Sequence, residues 1–404
     1  MKKSIFLSLT MCCLSQFFFS CENKKEQMRS DSAHSEYPIH VPFEKGLETE
    51  RDLKLSELAD SVRLIPLETT DVSLLNRIMN GGILKSSKYW FLYSYKNVYQ
   101  FTNEGKFVRI IGSRGNGPGE YTSVSCIDID ESLKHVYVLS PGKNINVYDM
   151  ETGTYLYTRK APSFSSWAFA MLNDSVSSCF QYNLSGQEKA RILVADAEGD
   201  TIKAFSRSDL FQNKTDFVTL LHFNDDRYMF RYKDMVCYKE YYNDTLFVVT
   251  ADSLLPRYVF DLGKHSMPVE HRPEALGFDK KAFKSLSSSY IRTQALETES
   301  WIFMPYSYWQ IESSVIDDMH LLVYDKRRKE CFKVRGGVII NDLCAKANIP
   351  FCPQNTVAPN ILISLLSAEE IFEMAEDNPS ILNHPQLKGL AEDSNPILMV
   401  VYLK

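Results

Sequence analysis

Short runs of β-type residues, separated by acidic or glycine-containing turns, recur along most of the chain. A turn between two such runs is the pattern of a β-hairpin. Gly105, Gly153 and Gly199 mark three of these turns, about 50 residues apart. The five hairpins span residues 98–111, 145–157, 192–205, 246–260 and 321–334. A further pair of β runs precedes each hairpin, and four strands per repeat of this length are typical of a β-propeller blade.

A sixth blade requires segments from both ends of the chain. Residues 357–366 and 396–403 are apolar β runs near the C-terminus, and residues 62–67 form another near the N-terminus. Pairing them in one blade would close the ring and remove exposed sheet edges. The sequence therefore predicts an all-β fold, a six-bladed β-propeller closed by its N- and C-terminal strands, with small helical insertions.

Two segments interrupt the repeat. In residues 367–377, Ser367 and Glu370 have the spacing of a capping box and precede an apolar stripe, which predicts a helix. Residues 264–300 lie between the fourth and fifth repeats and are predicted to be a second insertion.

The segment FVRIIGSRGNGPGEY, residues 107–121, leaves a β run and turns sharply through four glycines and a proline. It resembles the signature of the six-bladed β-propeller lipoproteins of Bacteroidetes, which are similar in shape to NHL-repeat propellers. The segments SVRLIPLETTD at 61–71 and EDSNPILMVVYLK at 392–404 also resemble that family. The resemblance implies a propeller over roughly residues 60–404, and it implies no particular activity, since most members have none assigned.

The first 21 residues are predicted to be a targeting segment. Lys2 and Lys3 precede an apolar run, residues 5–19, that is too short to span a bilayer. The run ends at Phe-Phe-Ser-Cys, which resembles a lipobox, so we expect cleavage before Cys21 and acylation of Cys21; an ordinary secretory signal is the alternative. Residues 22–45 are predicted to be a flexible tether, and residues 46–404 the propeller. This places the protein in the cell envelope, with the outer membrane favoured and its periplasmic or external face left open.

Composition limits the partners. The net charge is −6 and the pI about 5.8, which disfavours nucleic acid and anionic membrane surfaces as partners, because both require a basic face. No two histidines have the spacing of metal ligands, and the sequence lacks the GxSxG, P-loop and HExxH motifs, so no metal or cofactor is predicted. Of the six cysteines after Cys21, only Cys344 and Cys352 are close in sequence, and a disulfide between them stays open.

The candidate ligand contacts are four residues of the glycine-rich segment and one tryptophan: Arg114, Asn116, Glu120, Tyr121 and Trp309. The first four either belong to a structural crossing between blades, which is favoured, or lie at the mouth of the central channel. The alternating glycines predict a strained backbone at Gly117 and Gly119. Trp309 is either a sugar contact, because exposed aromatic rings stack on sugars, or part of the core.

Three functions remain open. The favoured prediction is a lipid-anchored, non-catalytic binding or scaffold module for a glycan, peptide or envelope protein. A related possibility is an assembly or sensing subunit of a nutrient-uptake system. The alternative is a propeller hydrolase or lyase acting on a polysaccharide or related envelope substrate, with residues converging from several blades.

Overall fold

The protein is described by a computed structural model. It covers residues 37–75, 78–141, 144–163, 166–183, 185–212, 229–240, 242–272, 289–309, 319–344 and 347–404. Pro38–Lys404 forms one compact unit. The predicted signal segment, with Cys21, and residues 22–36 of the predicted tether lie outside the described residues.

Six antiparallel sheets of four strands are arranged as the blades of a propeller, which confirms the predicted fold. Blade 1 consists of Ile78–Lys85, Tyr89–Ser94, Val98–Thr102 and Phe107–Ile111. Blade 2 consists of Cys126–Asp130, His135–Ser140, Asn144–Asp149 and Tyr155–Lys160. Blade 3 consists of Ser166–Met171, Ser177–Gln181, Ala190–Ala195 and Thr201–Ser206. The first strands of different blades contact one another, so they surround the axis.

Blades 4 and 5 each gain a strand from the N-terminal segment. Blade 4 consists of Met229–Tyr232, Met235–Tyr238, Thr245–Val249 and Leu254–Phe260. In blade 5, Ile291–Thr293 and Leu296–Glu297 form the first strand, followed by Trp301–Tyr308, His320–Asp325 and Glu330–Val334. Ile39–Val41 pairs in parallel with the outer strand of blade 4, and Glu50–Arg51 pairs in parallel with that of blade 5.

The N-terminal segment is thus part of the propeller unit from Pro38 onwards. Sequence analysis assigned residues 38–45 to the tether, but Val41 and the short helix Phe43–Gly46 pack against blades 4 and 5, where Val41 and Phe43 are fully buried. A second short helix, Leu55–Leu58, leads into the strand Ala59–Pro66. The ordered unit therefore begins about eight residues earlier than predicted.

Blade 6 joins the two ends of the chain, as predicted. Its strands are Asn355–Ala358, Ile361–Leu366, Ile397–Leu403 and Ala59–Pro66. The C-terminal strand lies between Ile361–Leu366 and the N-terminal strand, with antiparallel pairs running from Ile397 opposite Pro66 to Leu403 opposite Ala59. All but one of its seven residues are buried, so it is the central element of the closure.

The helical insertion also forms as predicted. In the helix Ala368–Asp377, the Ser367 hydroxyl accepts a hydrogen bond from the Glu370 N–H, and the Glu370 carboxylate accepts one from the Ser367 N–H. Beyond it, Gln386 accepts a hydrogen bond from the main chain of Leu64, so the insertion covers the edge of blade 6. The predicted insertion at 264–300 was too long, because Ile291–Thr293 and Leu296–Glu297 belong to blade 5. Residues 273–288 lie outside the described residues.

The two faces of the propeller differ. In blades 1 to 5, two to five residues join the first strand to the second and the third to the fourth, and we call this side the turn face. The other connections lie on the opposite side, the connection face, and include the long segments 112–125 and 367–396. Of the helices that the structure describes, none has the length and apolar character needed to cross a membrane.

Candidate functional site

The glycine-rich segment connects the last strand of blade 1 to the first strand of blade 2. Its ends pair in parallel, Ser113–Arg114 with Glu120–Tyr121. Glu120 turns back into the loop, where its carboxylate accepts a hydrogen bond from the Gly117 N–H at 2.8 Å. A Cβ atom at Gly115 would overlap that carboxylate, so a larger residue there would displace the Glu120 side chain. The loop is therefore closed by its own acidic side chain.

Further hydrogen bonds fix this loop to the blades on either side. Tyr121 is 1% exposed, and its hydroxyl donates to the Ile111 carbonyl at 2.8 Å. Burial raises the pKa of Tyr121 above its ordinary value. The Tyr148 hydroxyl donates to the Gly119 carbonyl at 2.9 Å, and the Asn146 amide donates to the Glu120 carbonyl at 2.8 Å. These contacts are those of a structural crossing between blades, which was the favoured interpretation of the sequence.

The predicted contacts in this loop thus separate into two groups. Tyr121 packs in the core between blades 1 and 2, and Glu120 holds the loop, so neither presents its functional group to a ligand as predicted. Arg114 and Asn116 are exposed on the connection face. They are the two members of the predicted set that remain accessible to a partner.

Trp309, the fifth predicted contact, lies at the end of the second strand of blade 5. It is 2% exposed, and its ring stacks on Tyr242 of blade 4 with centroids 4.8 Å apart. The guanidinium carbon of Arg292 lies 5.9 Å from the centroid of the indole ring. Trp309 is therefore a buried aromatic residue and not an exposed platform for a sugar, and the structure places it in a different blade from the glycine-rich loop.

Next to Tyr242 lies a group of charged side chains that sequence analysis did not single out. Arg191, Arg207, Asp209, Glu240 and Arg272 form what we call the arginine network. Arg191 pairs with Asp209 at 2.7 Å and with Glu240 at 3.2 Å. Arg207 pairs with Glu240 at 3.2 Å, and Arg272 pairs with Asp209 at 2.5 Å. The network joins the connection-face ends of blades 3 and 4.

Electrostatics favour the charged form of Asp209 in this network. Burial alone would raise the pKa of Asp209, but the hydrogen bond from Arg272 and the charges of Arg191 and Arg207 hold it below its ordinary value. Arg272 also lies against Tyr242, with its guanidinium carbon 5.0 Å from the ring centroid. Arg272, Tyr242, Trp309 and Arg292 therefore follow one another as a series of guanidinium and aromatic groups.

A second ion pair joins the first strands of blades 2 and 4. Arg231, on the first strand of blade 4, donates from Nε and Nη2 to the carboxylate of Asp128 on the first strand of blade 2, at 3.2 and 2.6 Å. Its Nη2 also donates to the Met171 carbonyl of blade 3 at 2.7 Å. Bidentate pairing of this kind fixes geometry as well as charge, so Arg231 ties the first strands of three blades together.

One thiol and one imidazole are in contact. The Cys344 sulfur lies 3.2 Å from Nε2 of His384, whose Nδ1 accepts a hydrogen bond from the Gln386 N–H at 3.3 Å. Burial raises the pKa of the Cys344 thiol above its ordinary value. Cys344 and Cys352 are both free thiols, so the disulfide considered from the sequence is not formed. Within the described segments, no three His, Cys, Asp or Glu side chains converge as metal ligands.

Comparison with known families decides where this chain belongs. Residues 38–402, nearly the whole ordered unit, match the family described as Domain of unknown function (DUF4934). The chain is a member of the DUF4934 family. The match begins where the compact unit begins, at Pro38.

One solved structure shares the fold of this DUF4934 protein. The crystal structure of a Bacteroides fragilis protein described as exported is 17% identical, with a TM-score of 0.65 over 90% of this chain and 99% of that chain. The WD40 domain of Neurospora crassa Pan2 is 9% identical over 70% of this chain and 73% of that domain, but its TM-score is only 0.38. No curated protein matches the chain in sequence.

Proposed function

We propose that this DUF4934 protein is a non-catalytic binding or scaffold module of the bacterial cell envelope, anchored through a lipid at Cys21. Its ligand would be a glycan, a peptide or an envelope protein, bound at the connection face. The proposal combines a rigid propeller with a surface of long connecting segments.

The observation that carries the proposal is the difference in length between the connecting segments of the two faces. The turn face of blades 1 to 5 has only tight turns, whereas the connection face has the long segments, the exposed Arg114 and Asn116, and the arginine network. Binding residues are disproportionately located on loops that a rigid scaffold positions. The ring closure and the Arg231–Asp128 ion pair provide such a scaffold.

The envelope location has two supports. The lipobox-like sequence ends at Cys21, and the fold is shared with a Bacteroides fragilis protein described as exported. A lipid anchor at Cys21, in the outer membrane, would place the propeller at the membrane surface without requiring a membrane-spanning segment of its own.

The contact between Cys344 and His384 favours binding over hydrolysis. A catalytic thiol requires a lowered pKa and a neighbouring base that takes its proton. Here burial raises the pKa of the thiol, so the thiolate that would act as the nucleophile is disfavoured. The described thiol that contacts a possible base therefore lacks the lowered pKa of a catalytic cysteine.

The test is a screen of the mature protein against arrays of bacterial glycans and envelope peptides. We expect saturable binding that Arg114→Ala weakens, because Arg114 is exposed on the connection face. Arg327→Ala is the matched control, since Arg327 is an exposed arginine in a tight turn of the opposite face. Equal loss in both variants would contradict binding at the connection face, and turnover of an array component would contradict a non-catalytic role.

A further inference from the structure

Within the described part of the chain, the arginine network is one negative charge short of neutrality. Three guanidinium groups, from Arg191, Arg207 and Arg272, share the two carboxylates of Asp209 and Glu240. All five side chains are between 2 and 12% exposed. A buried charge without a counter-ion is costly, so buried charges in proteins are normally paired. The five residues therefore form a buried cluster with a formal charge of +1.

The hydrogen bonds of the network show where the missing charge would act. Arg207 uses Nη1 on Glu240 and Nη2 on the Gln181 carbonyl. Arg272 uses Nη1 on Asp209 and Nη2 on the Tyr242 carbonyl. The Nε atoms of Arg207 and Arg272 are both buried and have no acceptor among the residues that the structure describes. Two N–H donors thus remain unsatisfied within the same positively charged cluster, and unsatisfied buried donors are rare in native proteins.

A buried lysine lies beside the network, together with the carboxylate of Asp244. Lys239, which precedes Glu240, is buried and donates to the carbonyls of Glu240 and Asn243 at 2.8 and 2.7 Å. Burial lowers the pKa of Lys239 to about 8, although the charges of Asp244 and Glu240 act in the opposite direction. The positive potential of the network is therefore not offset by this neighbouring side chain.

We propose that the arginine network is an oxyanion-binding site, in which a carboxylate, sulfate or phosphate group accepts hydrogen bonds from Nε of Arg207 and Nε of Arg272. This inference rests on the proposed binding function and gives its ligand a chemical class. Charge-assisted hydrogen bonds from guanidinium groups to oxyanions are among the strongest in proteins. The oxyanion can be an inorganic ion or the acidic group of a saccharide, because both present the same acceptor.

The experiment measures binding by calorimetry and by thermal shift. The probes are inorganic sulfate, inorganic phosphate and a glucuronate oligosaccharide, with a neutral glucose oligosaccharide as reference, all at one ionic strength. The inference predicts saturable binding of at least one oxyanion probe and none of the neutral one. Binding of the inorganic ions alone and binding of the acidic saccharide would both support the site, and they identify which source of oxyanion it takes.

The decisive variants are Arg272→Lys and Arg207→Lys, which keep the charge but remove the unsatisfied Nε–H. We expect each to weaken oxyanion binding at least tenfold. Glu240→Gln adds to the positive charge and is expected to bind the oxyanion several-fold more tightly, so the inference stays testable if the lysine variants fold poorly. Arg327→Lys, on the turn face, is the matched control and should bind as the wild-type protein does.

Three results would overturn the inference. The first is a stabilisation by sulfate that does not saturate and is equal in Arg272→Lys, since this is the general effect of an excluded salt. The second is weaker binding in Glu240→Gln. The third is binding to an array component that is equally strong in the wild-type protein and in Arg272→Lys. This result would refute the oxyanion site and leave the proposed binding function intact.

Discussion

Replacement of Gly119 by alanine tests the placement of the glycine-rich loop most directly. Gly119 has φ of +73°, a conformation that residues with a Cβ atom rarely adopt. A Cβ atom there would lie 2.5 Å from Cγ and 2.7 Å from Cδ2 of Tyr155, on the last strand of blade 2. The Gly119 carbonyl is also fixed by the Tyr148 hydroxyl at 2.9 Å, so the backbone cannot rotate without losing that hydrogen bond.

The expected loss of stability follows from these two effects. A left-handed conformation costs an alanine about 1–2 kcal/mol, and displacement of a packed ring typically costs about 1–3 kcal/mol. Gly119→Ala should therefore lower the free energy of unfolding by about 2–5 kcal/mol. A domain of this length has an unfolding entropy of about 0.8 kcal/mol/K, so the melting temperature should fall by about 3–6 °C.

The matched control is Gly117→Ala, two residues away in the same loop. The sequence predicted strain at both glycines, but Gly117 lacks a left-handed φ. Its Cβ atom would contact the Glu120 side chain, with Oε2 nearest at 3.0 Å. That atom is the end of a flexible side chain, so we expect a loss below about 1 kcal/mol. Urea unfolding of both variants gives the comparison. An equal loss in the two, or no loss in Gly119→Ala, would refute the described path of the loop.

Three further predictions concern other parts of the molecule. Deletion of residues 397–404 removes the central strand of blade 6 and should abolish the cooperative thermal transition, whereas an unchanged melt would exclude this closure. Burial would raise the pKa of Glu297, but hydrogen bonds from Arg257 and the charge of Lys326 hold this pKa below its ordinary value. The stability that ionised Glu297 contributes is therefore present above about pH 4.3 and is lost as the pH falls through the lowered pKa. Between pH 7 and pH 3.5 the wild-type protein should lose more stability in urea than Glu297→Gln, and the reverse order would contradict this. Cys21→Ala should move the protein from the membrane fraction to the soluble fraction, and a variant that stays with the membrane would argue against lipidation.

The repeat of hairpins was predictable because each hairpin is specified by residues that are close together in the sequence. Hairpins at 98–111 and 145–157 need only alternating β-type residues and a turn residue with suitable φ, and both are local. The helix after Ser367 was equally predictable from its capping box. Blade 6 was predicted by a different route, because a ring with one incomplete blade leaves strand edges that the two chain ends can fill.

The boundary of the tether could not be predicted in this way. Ile39–Val41 and Glu50–Arg51 are strands of three and two residues, too short for a periodic pattern. Their partners, Leu254–Phe260 and Glu330–Val334, lie more than 200 residues away in sequence. Only the completed blades provide the outer edges on which these strands form, so this part of the fold depends on tertiary structure.

Whether a single aromatic residue is exposed or buried could also not be predicted from the sequence. Tyr121 lies in a polar, glycine-rich segment, yet it is buried because its hydroxyl reaches the Ile111 carbonyl. Trp309 is covered by Tyr242 of the preceding blade. In both positions, the sequence specifies a side chain able to bind a ligand or to fill a core, and the neighbouring blade determines which of these occurs.

The arginine network shows why overall charge is a poor guide to a local site. Its members come from separate segments between residues 191 and 272, and each alone is typical of a solvated surface. The chain as a whole carries −6, and screening limits such a field to about 8 Å at physiological salt. A long polyanion such as nucleic acid would face that negative surface over its whole length. The electrostatic potential at a single bound oxyanion group would instead be determined by the guanidinium groups nearest to it. The acidic composition therefore disfavours polyanions and remains consistent with selective binding of ligands that carry one isolated acidic group.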